Sequence, residues 1–282
     1  GNYGKNHTVH VLGLTVEHGG KLFNCAAVIC GGAILGLVPK ERLPTYGVFY
    51  DGRTTSPNIP GRTSEVEFEL DNGRVLKVPF GDLVFDIKGL GRVAVVVCED
   101  IWDPEGPAHR RTYAGADLIV VLNSSPQRAG VYNTRREMLA TRSADYCATL
   151  VYANQVGGND GLVMDGGGFI FQCGRLLHEA PRFVCDQLTH AVVDLDMAKK
   201  ERMANTTWRD TAQRFVAKND EMPTVIDTGI IYTIIDRHAD RMRYPFPAHR
   251  SFFLPADQKE REAYLDELIA TMVLSLDSYI RK

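Results

Sequence analysis

No apolar run in this 282-residue chain approaches the roughly 18 residues that a membrane-spanning helix needs, and the opening residues are not laid out as a secretory signal. Runs of Lys and Arg are also missing. With 32 basic and 35 acidic residues the formal net charge is -3, which argues against nucleic acid or an anionic membrane surface as the partner. The six cysteines (Cys25, Cys30, Cys98, Cys147, Cys173 and Cys185) contain no CxxC pair, so neither a metal site nor the disulfide framework of a small secreted domain is expected. A cytoplasmic location follows as the expectation. The glycine-rich stretch 157–168 is no phosphate loop, because it has neither a GK[ST] element nor a GxGxxG that opens a helix. An initiator Met is absent, and the text drops at once into strand-like sequence, which reads as a piece of something longer.

What is present describes an ordinary globular chain, 44% hydrophobic and 24% charged. Its organising stretch is Val93-Ala94-Val95-Val96-Val97, five small or β-branched apolar residues that read as a strand buried on both faces. Cys98 stands where that strand ends, followed by Glu99, Asp100, Trp102 and Pro104. A thiol at such a junction projects over the strand ends, where α/β sheets hold ligands; the plainer alternative is one more small buried hydrophobe. A second apolar strand, 118–122, runs into the polar cluster Asn123-Ser124-Ser125-Pro126. Lys40 closes an earlier strand and faces a long aromatic and proline-bearing loop, 41–63; loops of that length are more often functional than idle.

Elsewhere the patterning predicts a meander of strands over 8–16, 22–29 and 33–38, and a hairpin of 65–70 with 75–78 around Asp71-Asn72-Gly73. One strand is expected over 80–87 and helical sequence over 109–115. A helix is expected over 135–153, with 149–154 equally able to open a strand. Then come a turn at 157–160, a strand at 162–164, a glycine turn at 165–168, a hairpin of 169–172 with 175–178, and a last strand over 189–195. Residues 196–250 show little periodicity outside 224–235 and read as an extended excursion. A capping box at 257–260 opens a final helix, whose Leu265, Leu268, Ile269, Met272, Leu276, Tyr279 and Ile280 form an apolar face that a following domain or partner subunit would cover.

In this order, VPKERLPTYGVFYDGR, VVVCEDIWDP, VLNSSP and NQVGGNDGLVMDGGG resemble the carbon–nitrogen hydrolase (nitrilase) superfamily. LPTYGVFYDGR, CEDIW and the later SFFLPAD look more narrowly like its glutamine amidotransferase domains that feed ammonia to NAD synthesis. The resemblance implies an α/β fold, a four-layer α-β-β-α sandwich truncated at its amino terminus and followed by a linker helix. It implies an incomplete glutaminase domain over 1–195, the excursion over 196–250, and over 251–282 a linker leading to a synthetase domain that the chain lacks. Cys98 is similar to the family's nucleophile and Lys40 to its lysine, while Tyr46, Glu99, Trp102 and Ser125 occupy positions that contact glutamine. The amidase site needs no cofactor and no metal; ATP and Mg are implied only for the missing synthetase domain, which would amidate nicotinic acid adenine dinucleotide. Homo-oligomerisation is expected as well. Two readings compete: a stand-alone amidase acting on another small amide, and a non-catalytic oligomerising scaffold.

The chemistry explains the residue types. A nearby ammonium stabilises the thiolate, the oxyanion formed on attack needs Lys40 and a backbone N–H, and departing ammonia needs a general acid/base carboxylate. The resemblance puts that glutamate ahead of the first strands, where none is found. Two further departures are NSSP in place of a longer serine motif and Asp51 where a glutamate is usual. The chain by itself is therefore expected to release little or no ammonia from glutamine; robust release by the purified chain would overturn this.

Overall fold

A computed structural model describes residues 8–159, 162–185, 187–231, 254–255 and 257–280. They belong to two compact units, Gly1–Ile234 and Ile235–Lys282. The far end of the expected excursion, 232–250, residues 251–253 of the SFFLPAD motif and Asp160 of the expected turn lie outside the described residues.

The meander and the hairpin form one sheet. Strands β1 (Val9–His18), β2 (Lys21–Cys30) and β3 (Ala33–Pro39) pair antiparallel, the one-turn helix α1 (Asp51–Thr54) follows, and the hairpin β4 (Thr63–Glu69) and β5 (Val75–Gly81) completes the order β1-β2-β3-β5-β4. The second sheet is built around β6 (Leu83–Lys88) and the organising strand β7 (Gly91–Val97). A 3-10 turn (Cys98–Ile101) and α2 (Pro107–Tyr113) lead to β8 (Leu118–Asn123), and α3 (Val131–Asp145) leads to β9 (Thr149–Asn154). β7, β8 and β9 are parallel neighbours, the βαβ arrangement that two-faced burial of their Val/Ile/Leu runs requires. β10 (Val156–Asn159), β11 (Leu162–Gln172) and β12 (Arg175–Arg182) extend one edge.

Several expectations change where long-range contacts decide. The single strand expected over 80–87 is two strands in different sheets, broken at Gly81 and Asp82. Gly81 has φ +135°, and the Arg62 carbonyl fills the place a Cβ would take. The ambiguous 149–154 is a strand, because Thr149–Asn154 finds both β8 and β11 as partners. The expected glycine turn at 165–168 is instead the middle of β11, where Gly166 and Gly167 take φ +65° and +78° without breaking the pairing with β12. No strand forms over 189–195; Leu188 and Val192 are exposed there, and Asp194 caps the next helix by accepting from the Asp196 N–H.

The stretch from 196 to 231, expected as an excursion, is built into the first unit. It holds α4 (Leu195–Ala204), α5 (Thr206–Lys218) and β13 (Thr224–Ile231), and β13 pairs parallel with β6 at the edge of the second sheet. Arg202 of α4 donates to Asp117 and to the Ala116 and Tyr146 carbonyls. In the second unit α6 (Gln258–Ile280) starts as expected, with Asp257 accepting from the Glu260 N–H at 2.9 Å.

The two sheets face each other through Ala26, Val28 and Val38 on one side and Leu83, Phe85, Val95 and Val97 on the other. Gly36 makes the approach possible, since a Cβ there would lie 2.8 Å from the Leu83 methyl and the Phe85 ring. The opposite face of the second sheet packs on α3 through Ile119, Val121, Leu150, Phe169 and Phe171 against Leu139, so among the described residues one helix layer and both sheet layers of the expected four-layer sandwich are in place. Among the described residues no helix is long and apolar enough to cross a membrane.

Charge also holds the sheets together. Asp82, between β5 and β6, receives Arg110 at 2.9 Å and Arg111 at 2.8 Å, and Arg110 also reaches Glu41 at 2.6 Å. All four side chains are buried or nearly so. Burial by itself would raise the Asp82 carboxyl, but the Arg111 and Arg110 guanidinium groups and the Gly61 N–H hold it below its usual 3.8. Breaking one partner of a buried ion network leaves an uncompensated charge. Arg111→Ala is expected to lower stability by about 3–5 kcal/mol, read as a fall in the urea midpoint with an unchanged m-value.

Candidate active site

Cys98 begins the 3-10 turn at the carboxyl end of β7, with φ +50°. A non-glycine residue in that region is strained, and such strain persists only where the surroundings enforce it. The enforcing group is Asp100, which is fully buried. Its Oδ2 accepts from the Val97 N–H at 3.1 Å, and its Oδ1 accepts from the Glu41 and Arg42 N–H groups at 3.1 and 2.8 Å. The turn of the second sheet is thereby tied to the segment that leaves β3 of the first.

That segment carries Lys40. Its N–H donates to the Asn24 carbonyl at 2.8 Å, and its carbonyl accepts from the Asn58 N–H at 2.9 Å, so the backbone is fixed on both sides. The side chain is 2% exposed and its Nζ donates to Asp51, the first residue of α1. The long loop that leads there places Tyr46 above the turn, its hydroxyl donating to Glu99 Oε1 at 2.7 Å. Burial, then the Glu99 hydrogen bond, pushes the Tyr46 phenol up to about 12.

Ser125 arrives from the carboxyl end of β8, and its Oγ lies 3.6 Å from the Cys98 sulfur. Asn154, at the end of β9, grips its backbone from both sides, accepting from the Ser125 N–H at 2.8 Å and donating to its carbonyl at 3.2 Å. Arg135 of α3 donates to the Ser125 and Pro126 carbonyls and to Asp165, which also receives Asn154 and Arg182. Trp102 is partly buried against the core beneath the turn, with its carbonyl accepting from Arg142.

Two cavities meet at Cys98. The larger, about 540 Å³, is lined by Cys98, Lys40, Asp51, Asn24, Asn123 and Asn154 among others. The smaller, about 280 Å³, is lined by Cys98, Tyr46, Glu99, Trp102, Ser125 and Arg128 among others. The other five residues singled out in the sequence thus line the cavities that meet at the Cys98 sulfur. The structure alters one detail: the Lys40 hydrogen bond goes to Asp51, while the thiol bonds to Ser125. Burial pushes the Cys98 thiol above its usual 9.0; Lys40 and Ser125 pull it down, and Glu99 and Asp51 push it up again. The balance favours the protonated thiol, beside a Lys40 side chain that is hydrogen-bonded to Asp51.

Sequence reading missed Asp100, Asn154, Arg135 and Asp165. Asp100 sat in view inside CED, but its partners lie 58 and 59 residues away. An Asn or Asp at a strand end reads locally as a turn residue. Among the described residues no group of three or more His, Cys, Asp or Glu could hold a metal ion.

Asn154→Leu keeps the volume and removes the two hydrogen bonds that residue 154 makes to the Ser125 backbone, leaving the one from Arg135. It is expected to destabilise the chain by about 2–3 kcal/mol, measured by urea unfolding; an unchanged midpoint would show that Ser125 needs no such grip.

No family model matches the chain. It is 33% identical over 190 residues to a glutamine-dependent NAD(+) synthetase of Aquifex aeolicus, covering 67% of this chain and 30% of that one. A second such synthetase, from Mycobacterium tuberculosis, is 34% identical over 288 residues, covering 97% of this chain and 39% of the relative. The chain thus spans well under half the length of these relatives. A carbon–nitrogen hydrolase of Helicobacter pylori shares the fold, with a TM-score of 0.57, 19% identity, and coverage of 77% of this chain and 72% of the other. The chain thus shares its fold with a carbon–nitrogen hydrolase, and its relatives by sequence are glutamine-dependent NAD(+) synthetases.

Proposed function

We propose that this chain is the part of a glutamine-dependent NAD synthetase that hydrolyses the side-chain amide of glutamine and so supplies ammonia. The observation that carries the reading is the meeting of Cys98, Lys40 and Asp51 in one cavity, opening into a second cavity with an acid and a guanidinium. A glutamine backbone is a zwitterion. Glu99 offers a carboxylate for its ammonium and Arg128 a guanidinium for its carboxylate, with Tyr46 and Trp102 supplying flanking walls. Both sequence relatives named above are glutamine-dependent NAD(+) synthetases, which supports glutamine over another small amide.

In this reading the Cys98 thiol passes its proton to a carboxylate, which later hands it to the departing amide nitrogen, and the sulfur attacks the amide carbonyl, forming a carbon–sulfur bond as the carbonyl π electrons move onto oxygen. The Lys40 ammonium and a backbone N–H of the turn stabilise the oxyanion. Collapse expels the amide nitrogen, which takes a proton and departs as ammonia, leaving a thioester. Water then adds to the thioester with its proton passing to a carboxylate, and glutamate leaves as the sulfur is released. Among the described residues the carboxylates that line the two cavities are Asp51 and Glu99. Asp51, hydrogen-bonded to Lys40, is placed to exchange protons with it, whereas Glu99 is held by Tyr46.

The test uses a chloromethyl ketone analogue of L-glutamine, from which the thiolate displaces chloride. Cys98 is expected to be alkylated before the other five cysteines, with L-glutamine protecting it and L-asparagine not, as read by peptide mass spectrometry. Cys98→Ser should take up no label there. Labelling that ignores glutamine would sink the glutaminase reading.

A further inference from the structure

Lys40 and Cys98 come from different sheets. Lys40 follows β3 of the five-stranded sheet, and Cys98 follows β7 of the other. No backbone ladder joins β3 to β7, so strand pairing does not set the separation of the amine and the sulfur. Side chains have to set it. Asp100 accepts from the backbone of both segments, taking the Glu41 and Arg42 N–H groups on one oxygen and the Val97 N–H on the other. Those donors are the residues immediately after Lys40 and immediately before Cys98. Arg111 runs parallel to this link, reaching the Val95 carbonyl and, at 3.4 Å, Glu41, and Arg42 reaches Asp103 at 2.6 Å. These engage side chains of the Lys40 segment or strand positions further from the sulfur, whereas Asp100 joins the backbones next to Lys40 and Cys98 directly through hydrogen bonds.

Asp100 lines neither cavity and has no exposed surface. We propose that Asp100 is a positioning residue for the amide-hydrolysing site: its carboxylate fixes the Lys40 segment against the Cys98 turn and thereby sets how strongly the ammonium favours the thiolate. The inference rests on the glutaminase reading and adds to it a residue that never meets substrate. The groups that act on the sulfur are Lys40 and Ser125, which favour its ionisation, and Glu99 and Asp51, which oppose it. Ser125, just past the end of β8, is held by Asn154 without Asp100, whereas Glu99 shares the turn that Asp100 braces and is tied in addition to Tyr46. Lys40, with Asp51 attached to it, is the group whose distance from Cys98 the Asp100 link controls.

The carboxylate is suited to this in a way an amide is not. All three of its partners are donors, so both oxygens must accept. Asn in its place would turn an NH₂ toward either Val97 N–H or the Glu41 and Arg42 pair and break one half of the link.

The experiment follows alkylation of Cys98 by iodoacetamide in the 282-residue chain across the pH range of thiol ionisation. The thiolate displaces iodide, so the rate reports the thiolate fraction. Asp100→Asn is expected to raise the apparent pKa of Cys98 by about one unit, slowing alkylation at neutral pH about tenfold. Lys40→Ala should slow it similarly, and the double variant should be no slower than Lys40→Ala, because Asp100 acts through the lysine. An unchanged profile in folded Asp100→Asn overturns the proposal, as does equal slowing by Asp100→Asn with and without Lys40. If Lys40→Ala leaves the profile unchanged, the pairing of Lys40 with Cys98 fails and the glutaminase reading with it. Should Asp100→Asn not fold, Asp100→Glu carries the test: it keeps the charge, lengthens the link by one methylene, and is expected to raise the apparent pKa; no change refutes the proposal.

Discussion

Carboxylates buried between the ends of two sheets are the constraint on which the site depends. Asp100 joins the backbones that flank Lys40 and Cys98, and Asp82 and Glu41 lock the same ends together through Arg110 and Arg111. An ionised carboxylate without partners in such a place would cost several kcal/mol. Each instead receives backbone N–H groups or guanidinium nitrogens, with Glu41 doing so through Oε1 and its Oε2 left without a partner, so the network tolerates very few geometries. That makes it a gauge of position rather than a reservoir of stability.

The division of labour between the sheets follows from this. The second sheet is parallel through β7, β8 and β9, so its carboxyl ends present Cys98, Ser125 and Asn154 side by side. The first sheet contributes Lys40 and the loop that returns with Tyr46 and Asp51. Neither sheet by itself supplies all the residues that line the two cavities. The close packing of the sheets over Gly36 lets Lys40 and Cys98 line one cavity, where Cys98 takes a positive φ just past the end of β7.

A second layer of buried charge supports the serine side. Arg135 and Asp165 lie beneath Ser125, with Arg182 stacked over Tyr132 and Phe183 at the outer end of the same network. The glycines of β11 make room for this: Gly168 lies where a Cβ would meet the Tyr152 carbonyl at 2.8 Å. The glycine-rich text that looks like a loop is therefore a strand whose neighbours come too close for side chains.

Local pattern by itself determined the meander, the hairpin and the central strand ending in Cys98, because alternation, turn chemistry and an apolar run are properties of a few adjacent residues; Tyr46, Glu99, Trp102 and Ser125 are picked out by the resemblance of whole motifs. The tertiary structure alone decided the break of 80–87 into strands of different sheets, the entry of β13 beside β6, and the placement of Asp100. In each case the deciding partner lies far along the chain: β13 pairs with a strand some 140 residues before it, and Asp100 accepts from amides 58 and 59 residues away. Backbone groups and buried charges must be satisfied wherever the partner happens to come from. No window of neighbouring residues contains that information.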